Sequence, residues 1–283
     1  MDLGIIFIAH SRFTNIEKNL KTIANSKYEN ILISIYIDGP TSKKVYHNQN
    51  NFIEKYSSQY EIFLNQKNLG VRKFIPYAID LAFSKNNNLI IIEDDIIINS
   101  VSIRFVLEYF DYLNNNIISL FNPSFNSKSN IYSFEGGIWG WAVSKEIWNF
   151  FSWSPDSLLS ILLNTNSKLG FVGCLFYSPL IYLSSRGKIK SWAYNWFYIR
   201  LKNNIKSIIP SKSLSCNVGI GSADATNTKR EHVHSRVTCN ENYSNQISEE
   251  KLGILTTCGY SFYELFIRIL YHWTMLIFKR KLL

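Results

Sequence analysis

The sequence places three adjacent carboxylates, Glu93, Asp94 and Asp95, directly after an apolar run at residues 89–92. Carboxylates this close repel one another and are costly to hold beside an apolar core, so a cation is expected to compensate them. Hard divalent cations bind carboxylate oxygens together with the phosphates of a substrate. The triplet therefore predicts either a metal site for a phosphate-bearing ligand or, more simply, a solvated acidic turn at a strand end.

The apolar run before the triplet is continuous and rich in β-branched residues, which is typical of a strand buried on both faces. Similar runs occupy residues 3–9, 31–37 and 60–64, and helical patterns occupy residues 14–24, 45–56, 71–83 and 101–113. This alternation predicts an α/β fold with a mostly parallel sheet and helices on both faces. Ligands of such sheets bind beyond the carboxyl ends of the strands.

Polar residues follow each of the four predicted strands. They are His10, Ser11 and Arg12 after the first strand, Asp38 after the second, Asn68, Gly70 and Arg72 after the third, and the carboxylate triplet after the fourth. Because the carboxyl ends of parallel strands meet at one edge of a sheet, we expect these groups to converge. Four elements that converge are a stronger signal than any one of them.

The second half of the chain contains glycines next to large aromatic residues, at Trp139, Gly140 and Trp141. Glycine lets a backbone approach a ligand closely, and indole faces pack well against sugar rings. The alternative is a glycine bend with two core tryptophans, which this segment alone favours. Helical patterns follow at 144–151 and 191–203, and strand patterns lie at 117–121, 205–209 and 213–218.

The net charge of +9 predicts an anionic partner. Residues 157–223 contain eight Lys and Arg residues and no Asp or Glu, which suits nucleotide phosphates or anionic lipid. Interleaved aromatics are also typical of single-stranded nucleic-acid binding, but those in 191–203 point several ways and favour a core role. The four cysteines form no CxxC pattern, which indicates free thiols in a reducing compartment.

The tail at 261–281 is apolar except for Glu264, Arg268 and His272, which are four residues apart, and for its basic end. Such a helix is either an interfacial anchor on an anionic membrane or a helix packed on the domain or in a dimer, and the basic end favours the membrane. No stretch of about 20 uninterrupted apolar residues is present, so we expect no membrane span. The short apolar start is expected to be a strand rather than a signal peptide.

Four segments, at 67–80, 93–95, 136–148 and 187–219, resemble in their order the bacterial GT-A-fold glycosyltransferases of polysaccharide and O-antigen clusters. That GT2-like group is distantly similar to N-acetylglucosaminyltransferase I. The resemblance covers residues 3–228 and implies a Rossmann-like nucleotide-sugar-binding domain at 1–228. A polar connector at 229–256 and an amphipathic, basic-ended helix at 257–283 would follow it.

The resemblance implies a hexosyl- or N-acetylhexosaminyltransferase of surface polysaccharide biosynthesis. It would move a sugar, with inversion, from a nucleotide-sugar donor to a glycan acceptor that is lipid-linked. The enzyme would be cytoplasmic, with a peripheral place on the inner face of the membrane, and no nucleic-acid partner is expected.

The same resemblance implies roles for single residues. Asp95 would bind Mn²⁺ or Mg²⁺, and Glu93 and Asp94 would contact the ribose or sugar of the donor. The other donor-binding residues would be His10, Ser11, Arg12, Asp38, Asn68, Gly70 and Arg72, and the acceptor-side residues would be Trp139, Gly140 and Trp141.

Two departures from the family pattern concern catalysis. Where the family typically has an Asp two residues before a tryptophan, this chain has Lys190, and residues 157–223 hold no carboxylate. A carboxylate base would come from Asp156 or earlier, or from Asp224 or later, and the candidates are Glu135 and Asp156. A family histidine is also absent from residues 219–227, and His232 and His234 have the wrong spacing to replace it. The rival hypotheses are a catalytically weak nucleotide-sugar-binding relative and a peripheral membrane or nucleic-acid binding module.

Overall fold

The computed structural model describes residues 2–26, 31–123, 127–153, 156–220, 239–249 and 261–280. Its first half contains the four predicted strands, which are β1 (Leu3–Ala9), β2 (Leu32–Ile37), β3 (Glu61–Leu64) and β4 (Asn88–Glu93). They are parallel and lie in the order β3-β2-β1-β4. The predicted α/β fold with a mainly parallel sheet is therefore confirmed. His232, His234 and the boundary at residue 228 lie outside the described residues.

Helices connect these strands as predicted. They are α1 (Phe13–Ala24), α2 (Lys43–Tyr56), α3 (Val71–Ala82) and α4 (Ser102–Glu108). Ser42 caps α2, because its hydroxyl accepts a hydrogen bond from the backbone N–H of Val45. The helix expected over 101–113 is shorter than predicted, since the chain tightens into a 3₁₀ helix at Phe110–Asn114. α1 begins at Phe13, one residue before the predicted range.

Five strands from later in the chain extend this sheet to nine strands with mixed directions, and two more strands pair separately. These seven strands are β5 (Ile96–Ile98), β6 (Ile117–Ser119), β7 (Asn130–Ser133), β8 (Trp141–Ser144), β9 (Ser207–Ile209), β10 (Ser215–Asn217) and β11 (Ile247–Glu249). The full order is β11-β7-β9-β6-β8-β4-β1-β2-β3, while β5 and β10 form a separate antiparallel pair. β8 is antiparallel to both β4 and β6, so it fills the position beside the strand of the carboxylate triplet.

Four helices complete the described part of the chain: α5 (Lys145–Trp148), α6 (Leu158–Ser185), α7 (Ala193–Lys202) and α8 (Phe262–Arg280). Sequence reasoning did not predict α6, which by length and composition alone could cross a membrane. Gly170 kinks α6, because its φ of 73° and ψ of 179° are not helical.

The sheet has an apolar layer on each face. The four apolar residues of β4 alternate between the layers and are all at most 1% exposed, which confirms the strand buried on both faces. One layer contains a cluster of Trp141, Trp148, Trp192 and Trp196, with ring centroids 5.1–6.3 Å apart. Because Trp192, Trp196 and Tyr198 are at most 2% exposed, they are not available to stack on nucleic-acid bases.

Candidate active site

The ends of β1 and β4 are joined through Asp94. Ile8 is paired with Glu93 in the parallel register, so the residues after both strands lie side by side. One carboxylate oxygen of Asp94 accepts hydrogen bonds from the backbone N–H groups of His10, Ser11 and Arg12, at 2.8, 3.1 and 3.2 Å. The Arg12 guanidinium lies 3.5 Å from the other oxygen. Asp94 thus fixes the loop that follows β1. We call the edge of the sheet at the carboxyl ends of β1–β4, with the loops that follow them, the site edge.

Asp38 joins the second and third loops of the site edge in the same way. This buried carboxylate accepts hydrogen bonds from the backbone N–H groups of Gly39, Leu69 and Gly70, at 2.8–2.9 Å. The side-chain amide of Asn68 adds a fourth hydrogen bond, at 3.1 Å. A carboxylate with this many donors stays ordered, so the loop at residues 68–70 has a fixed shape.

Gln49 links the first and second loops, and sequence reasoning missed it. Its fully buried side chain reaches from α2, and Nε2 donates to the carbonyl oxygens of His10, at 3.0 Å, and of Asp38, at 2.9 Å. An apolar helix stripe with one glutamine gives no local sign of such a contact. With Asp94, Asp38 and Gln49, the site edge is a prearranged set of loops, and the predicted convergence of these groups is confirmed.

Glu93 and Asp95 differ from Asp94, because no ion pair connects either of them to a basic side chain in the described part of the chain. Burial, and then repulsion from Asp94, raises the pKa of Asp95 to about 6. Burial and the two neighbouring carboxylates likewise raise the pKa of Glu93 well above its usual range. Two half-buried carboxylates without an ion-pair partner in the described part of the chain are a suitable donor set for a divalent cation.

The described residues contain no group of three or more His, Cys, Asp or Glu side chains that could hold a metal ion. Glu93 and Asp95 would therefore supply only part of a coordination shell. That suits Mg²⁺ or Mn²⁺ held by one or two carboxylates, with substrate phosphates and water as the other ligands.

Arg72 presents positive charge at the start of α3. Its guanidinium carbon lies 3.8 Å from the ring centroid of Trp153, and Nη2 donates to the carbonyl oxygen of Ser184 at 3.3 Å. Burial lowers the pKa of Arg72, and Nε is buried without a hydrogen-bond partner among the described residues. A cation with no carboxylate partner in the described part of the chain suits an anionic ligand such as a diphosphate.

The predicted acceptor-side segment divides between the core and the site edge. Trp141 is fully buried beside Ile91, so its indole is part of the core. Because β8 is antiparallel to β4, Trp139 lies two residues closer to the site edge, at the level where β4 ends. The Trp139 ring is partly exposed and lies 4.5 Å from the Phe121 ring. Gly140 has a φ of 76°, which allows the chain to turn into β8.

Glu135 lies at the end of the strands opposite the site edge. β9 runs in the same direction as β4, so Ser207 at its amino end is remote from the carboxyl end of β4. Glu135 follows β7, whose Ser133 is paired with Ser207, and its carboxylate accepts a hydrogen bond from the Ser133 hydroxyl. The buried Arg200 guanidinium, whose pKa burial lowers to about 9, interacts with it electrostatically. The structure does not bring Glu135 together with Asp95.

Asp156 is bound by other parts of the chain, since its carbonyl oxygen accepts a hydrogen bond from Arg186 at 3.1 Å. Its carboxylate accepts hydrogen bonds from the Tyr198 hydroxyl, at 2.6 Å, and from the Lys202 ammonium, at 2.9 Å. Lys202 ends α7, from which the chain leads into the amino end of β9. Lys190, at the position where the resemblance places a base, is exposed between α6 and α7.

Sequence reasoning also missed Asn217, the last residue of β10. Its side-chain amide donates to Oδ2 of Asp95 at 3.3 Å. The neighbouring Cys216 lies 3.1 Å from Cys239, sulfur to sulfur. A segment more than 100 residues later in the chain therefore contacts the carboxylate triplet at Asp95.

Comparison with known proteins gives matches among solved structures alone, since no family model and no curated protein matches the sequence. S. aureus TarS 1–349 is 12% identical, with 77% of this chain and 61% of that chain covered and a TM-score of 0.46. Its complex with UDP-GlcNAc is 12% identical, with 96% and 66% covered and a TM-score of 0.39.

A mannosyltransferase, PcManGT from Pyrobaculum calidifontis, in complex with GDP-Man and Mn²⁺, is 11% identical. The match covers 52% of this chain and 46% of that chain, with a TM-score of 0.41. This chain therefore spans about half to two thirds of the length of these structures.

Proposed function

We propose that this protein is a glycosyltransferase that uses a divalent metal to move a sugar from a nucleotide-sugar donor to a glycan acceptor. The observation that carries the proposal is the pair Glu93 and Asp95, two half-buried carboxylates at the site edge without an ion-pair partner among the described residues. Arg72 supplies the opposite charge without a carboxylate partner in the same part of the chain. A metal–diphosphate unit would neutralise both.

The loops of the site edge determine what the chain itself does. Asp38 and Asp94 hold the backbone of residues 10–12 and 68–70 in place, so the donor meets preformed loops and loses little affinity to ordering them. When Mn²⁺ or Mg²⁺ is bound, it neutralises the leaving nucleoside diphosphate. Arg72 would bind a phosphate oxygen of the donor.

The acceptor would lie on the Trp139 side of the carboxylates. Trp139 offers a partly exposed indole at the level where β4 ends, and indoles pack well against sugar rings. A hexosyl or N-acetylhexosaminyl donor, a lipid-linked acceptor, inversion and a cytoplasmic location are the finer parts of the proposal. They rest on the resemblance of four co-linear sequence segments.

A second candidate function is nucleotide-sugar binding with weak or no transfer. The observation in its favour is the placement of Glu135 and Asp156, which are tied to the environments of Arg200 and of Tyr198 and Lys202. Detectable sugar transfer, or donor hydrolysis above the uncatalysed rate, would exclude this candidate.

The test is a thermal-shift screen of UDP, GDP, ADP and their sugar conjugates, with and without Mn²⁺. A ligand of the folded state raises the melting temperature by mass action, so one base should stabilise the protein only when Mn²⁺ is present. Asp95→Asn should abolish that shift. Asp111→Asn is the matched control, since Asp111 is exposed in the 3₁₀ helix away from the site edge. An unchanged shift in Asp95→Asn would overturn the proposal.

A further inference from the structure

The exposed apolar residues of this protein are concentrated on two helices. Of 21 large apolar side chains that are exposed in the described part of the chain, twelve belong to α6 or α8. They are Leu159, Leu163, Phe171 and Val172 on α6, and Phe262, Tyr263, Phe266, Ile267, Leu270, Tyr271, Ile277 and Phe278 on α8. Apolar side chains at this density mark an interaction surface rather than ordinary scattered exposure.

The two helices that carry these exposed residues are packed together. Leu265 of α8 is buried against Phe176 and Leu180 of α6. The Trp273 indole N–H donates to the carbonyl oxygen of Leu175 at 2.9 Å, and a ring nitrogen of His272 lies 3.2 Å from the Phe176 carbonyl oxygen. One side of α8 therefore covers α6, and its other side, rich in aromatic and branched residues, faces outward.

This packing corrects the simple picture of a polar stripe along the tail. His272 is only 6% exposed, and burial lowers its pKa to about 4, so it belongs to the contact with α6. Glu264 accepts hydrogen bonds from the backbone N–H and hydroxyl of Ser261, and so caps the start of α8. The outward side is therefore more apolar than the sequence spacing suggests.

The dimensions of α6 favour a position on a membrane rather than across it. The kink at Gly170 divides the helix into residues 158–169 and 171–185, which span about 18 and 22 Å at about 1.5 Å per residue. Both are shorter than the hydrocarbon layer of about 30 Å. Only 22% of the most apolar window of α6 is buried, and its Leu159, Leu163, Phe171 and Val172 are exposed.

The charges around this surface are complementary to an anionic bilayer. The described residues of α6 and α8 include Lys168, Arg268 and Lys279 as cations, and Glu264 is their one carboxylate. The Lys279 ammonium donates to the carbonyl oxygen of Lys188 at 3.0 Å, which brings the end of α8 to the basic connection at residues 186–190. Basic residues at one end of an apolar helix surface attract anionic lipid headgroups.

The basic connection also leads to the site edge. A Cβ built on Gly187 would lie 3.4 Å from the guanidinium of Arg72, and Arg72 donates to the carbonyl oxygen of Ser184. The α6–α8 surface is therefore continuous, through residues 184–190, with the cationic side of the candidate active site.

We propose that α6 and α8 form a docking surface that lies in the headgroup region of an anionic membrane, with residues 186–190 and Lys279 at its basic end. The surface inserts apolar side chains from both helices and orients the site edge along the bilayer. A further consequence, which rests on the proposed function, is that the acceptor is presented by the same bilayer as a lipid-linked glycan.

The experiment is sedimentation of the full chain with vesicles of phosphatidylcholine alone and with a quarter of phosphatidylglycerol. Binding should require the anionic lipid and should weaken as salt rises from 50 to 500 mM, because salt screens the headgroup charge. Phe266→Gln with Leu270→Gln should weaken binding about tenfold, since two apolar side chains no longer leave water. Phe150→Gln with Leu32→Gln, which changes exposed residues elsewhere, is the matched control.

Circular dichroism and melting temperature establish that each variant is folded. No binding to anionic vesicles, equal binding to neutral vesicles, or equal loss in the control pair would overturn the docking surface. A dimer in solution that the Phe266/Leu270 variant dissociates would instead make α8 an interface between copies, and would also overturn it. Nucleotide binding, measured separately by thermal shift, distinguishes this failure from failure of the proposed function.

Discussion

Asn217 donates a hydrogen bond from its side-chain amide to Oδ2 of Asp95, across the antiparallel pair of β10 and β5. Its own amide oxygen accepts from the backbone N–H of Gly219 at 2.8 Å, and the Val218 N–H donates to the Asp95 carbonyl oxygen at 2.8 Å. A Cβ on Gly219 would lie 2.7 Å from the Asp95 side chain, so the returning chain is in close contact with this carboxylate. Asn217 therefore orients the residue proposed to bind the metal.

Replacing Asn217 by alanine should weaken Mn²⁺ binding about tenfold, because second-layer hydrogen bonds commonly change metal affinity by that much. The measurement is Mn²⁺ titration followed by electron paramagnetic resonance, in the presence of the nucleoside diphosphate that the thermal-shift screen selects. The exposed Asn115 provides the control variant, Asn115→Ala. Equal affinity in the Asn217 variant and the wild type would show that the amide does not orient Asp95.

The first half of the fold was predictable because its signals are local. Each of β1, β2 and β4 is a short apolar run, and each is followed by a helix or a tight turn with its own pattern. The direction rule for parallel strands then brought Asp38 and Asp94 to one edge without any knowledge of long-range contacts. The local strand and helix patterns, together with the direction of parallel strands, are enough to predict which edge of the sheet holds the candidate site.

The second half was less predictable, for physical reasons. The helix α6 is apolar on most sides, so it has no period that separates it from a strand or a loop. The strand β8 begins at Trp141, directly after a glycine with positive φ, and glycines next to tryptophans are equally typical of a ligand loop. Gln49 and Asn217 escape prediction because their partners are distant in sequence, and nothing nearby indicates them.

The contribution of Asp95 to the stability of the metal-free protein should fall as pH rises through about 6. The pKa of Asp95 is raised in the folded state, so the folded protein binds a proton that the unfolded chain releases nearer its ordinary value of 3.8. This contribution is fully present below the unfolded pKa and is lost as pH rises through the folded pKa. Burial lowers the pKa of His272, which favours stability at higher pH over the same range, so the test compares Asp95→Asn with the wild type. The melting temperature of Asp95→Asn relative to the wild type, without metal, should be higher at pH 7.5 than at pH 5.5, and a difference that does not change with pH would contradict the assignment to Asp95.

Arg200 should be essential for stability rather than for transfer. Its buried guanidinium donates to the carbonyl oxygens of Gly136, at 3.0 Å, and Phe134, at 2.9 Å, and also to the Ser207 hydroxyl. Arg200→Met should lower the free energy of unfolding by about 3 kcal/mol, since it leaves these buried acceptors without their donor. Lys202→Ala should cost less than about 1 kcal/mol, because the Lys202–Asp156 ion pair is partly exposed. Urea unfolding of both variants is the measurement, and similar losses would contradict this prediction.

Cys216 should be the most reactive of the three described thiols. A hydrogen bond from the Cys239 thiol, 3.1 Å away, is the main cause that lowers the pKa of Cys216 to about 7. Since the thiolate is the nucleophile, alkylation of Cys216 by iodoacetamide should rise with pH to half its maximum near pH 7. Cys239→Ala removes the donor and should move that midpoint upward by at least about one pH unit, toward the value of a free thiol. Peptide mass spectrometry resolves the sites, with the buried Cys174 as an internal control. A midpoint that does not move in Cys239→Ala would show that the neighbouring thiol does not stabilise the thiolate.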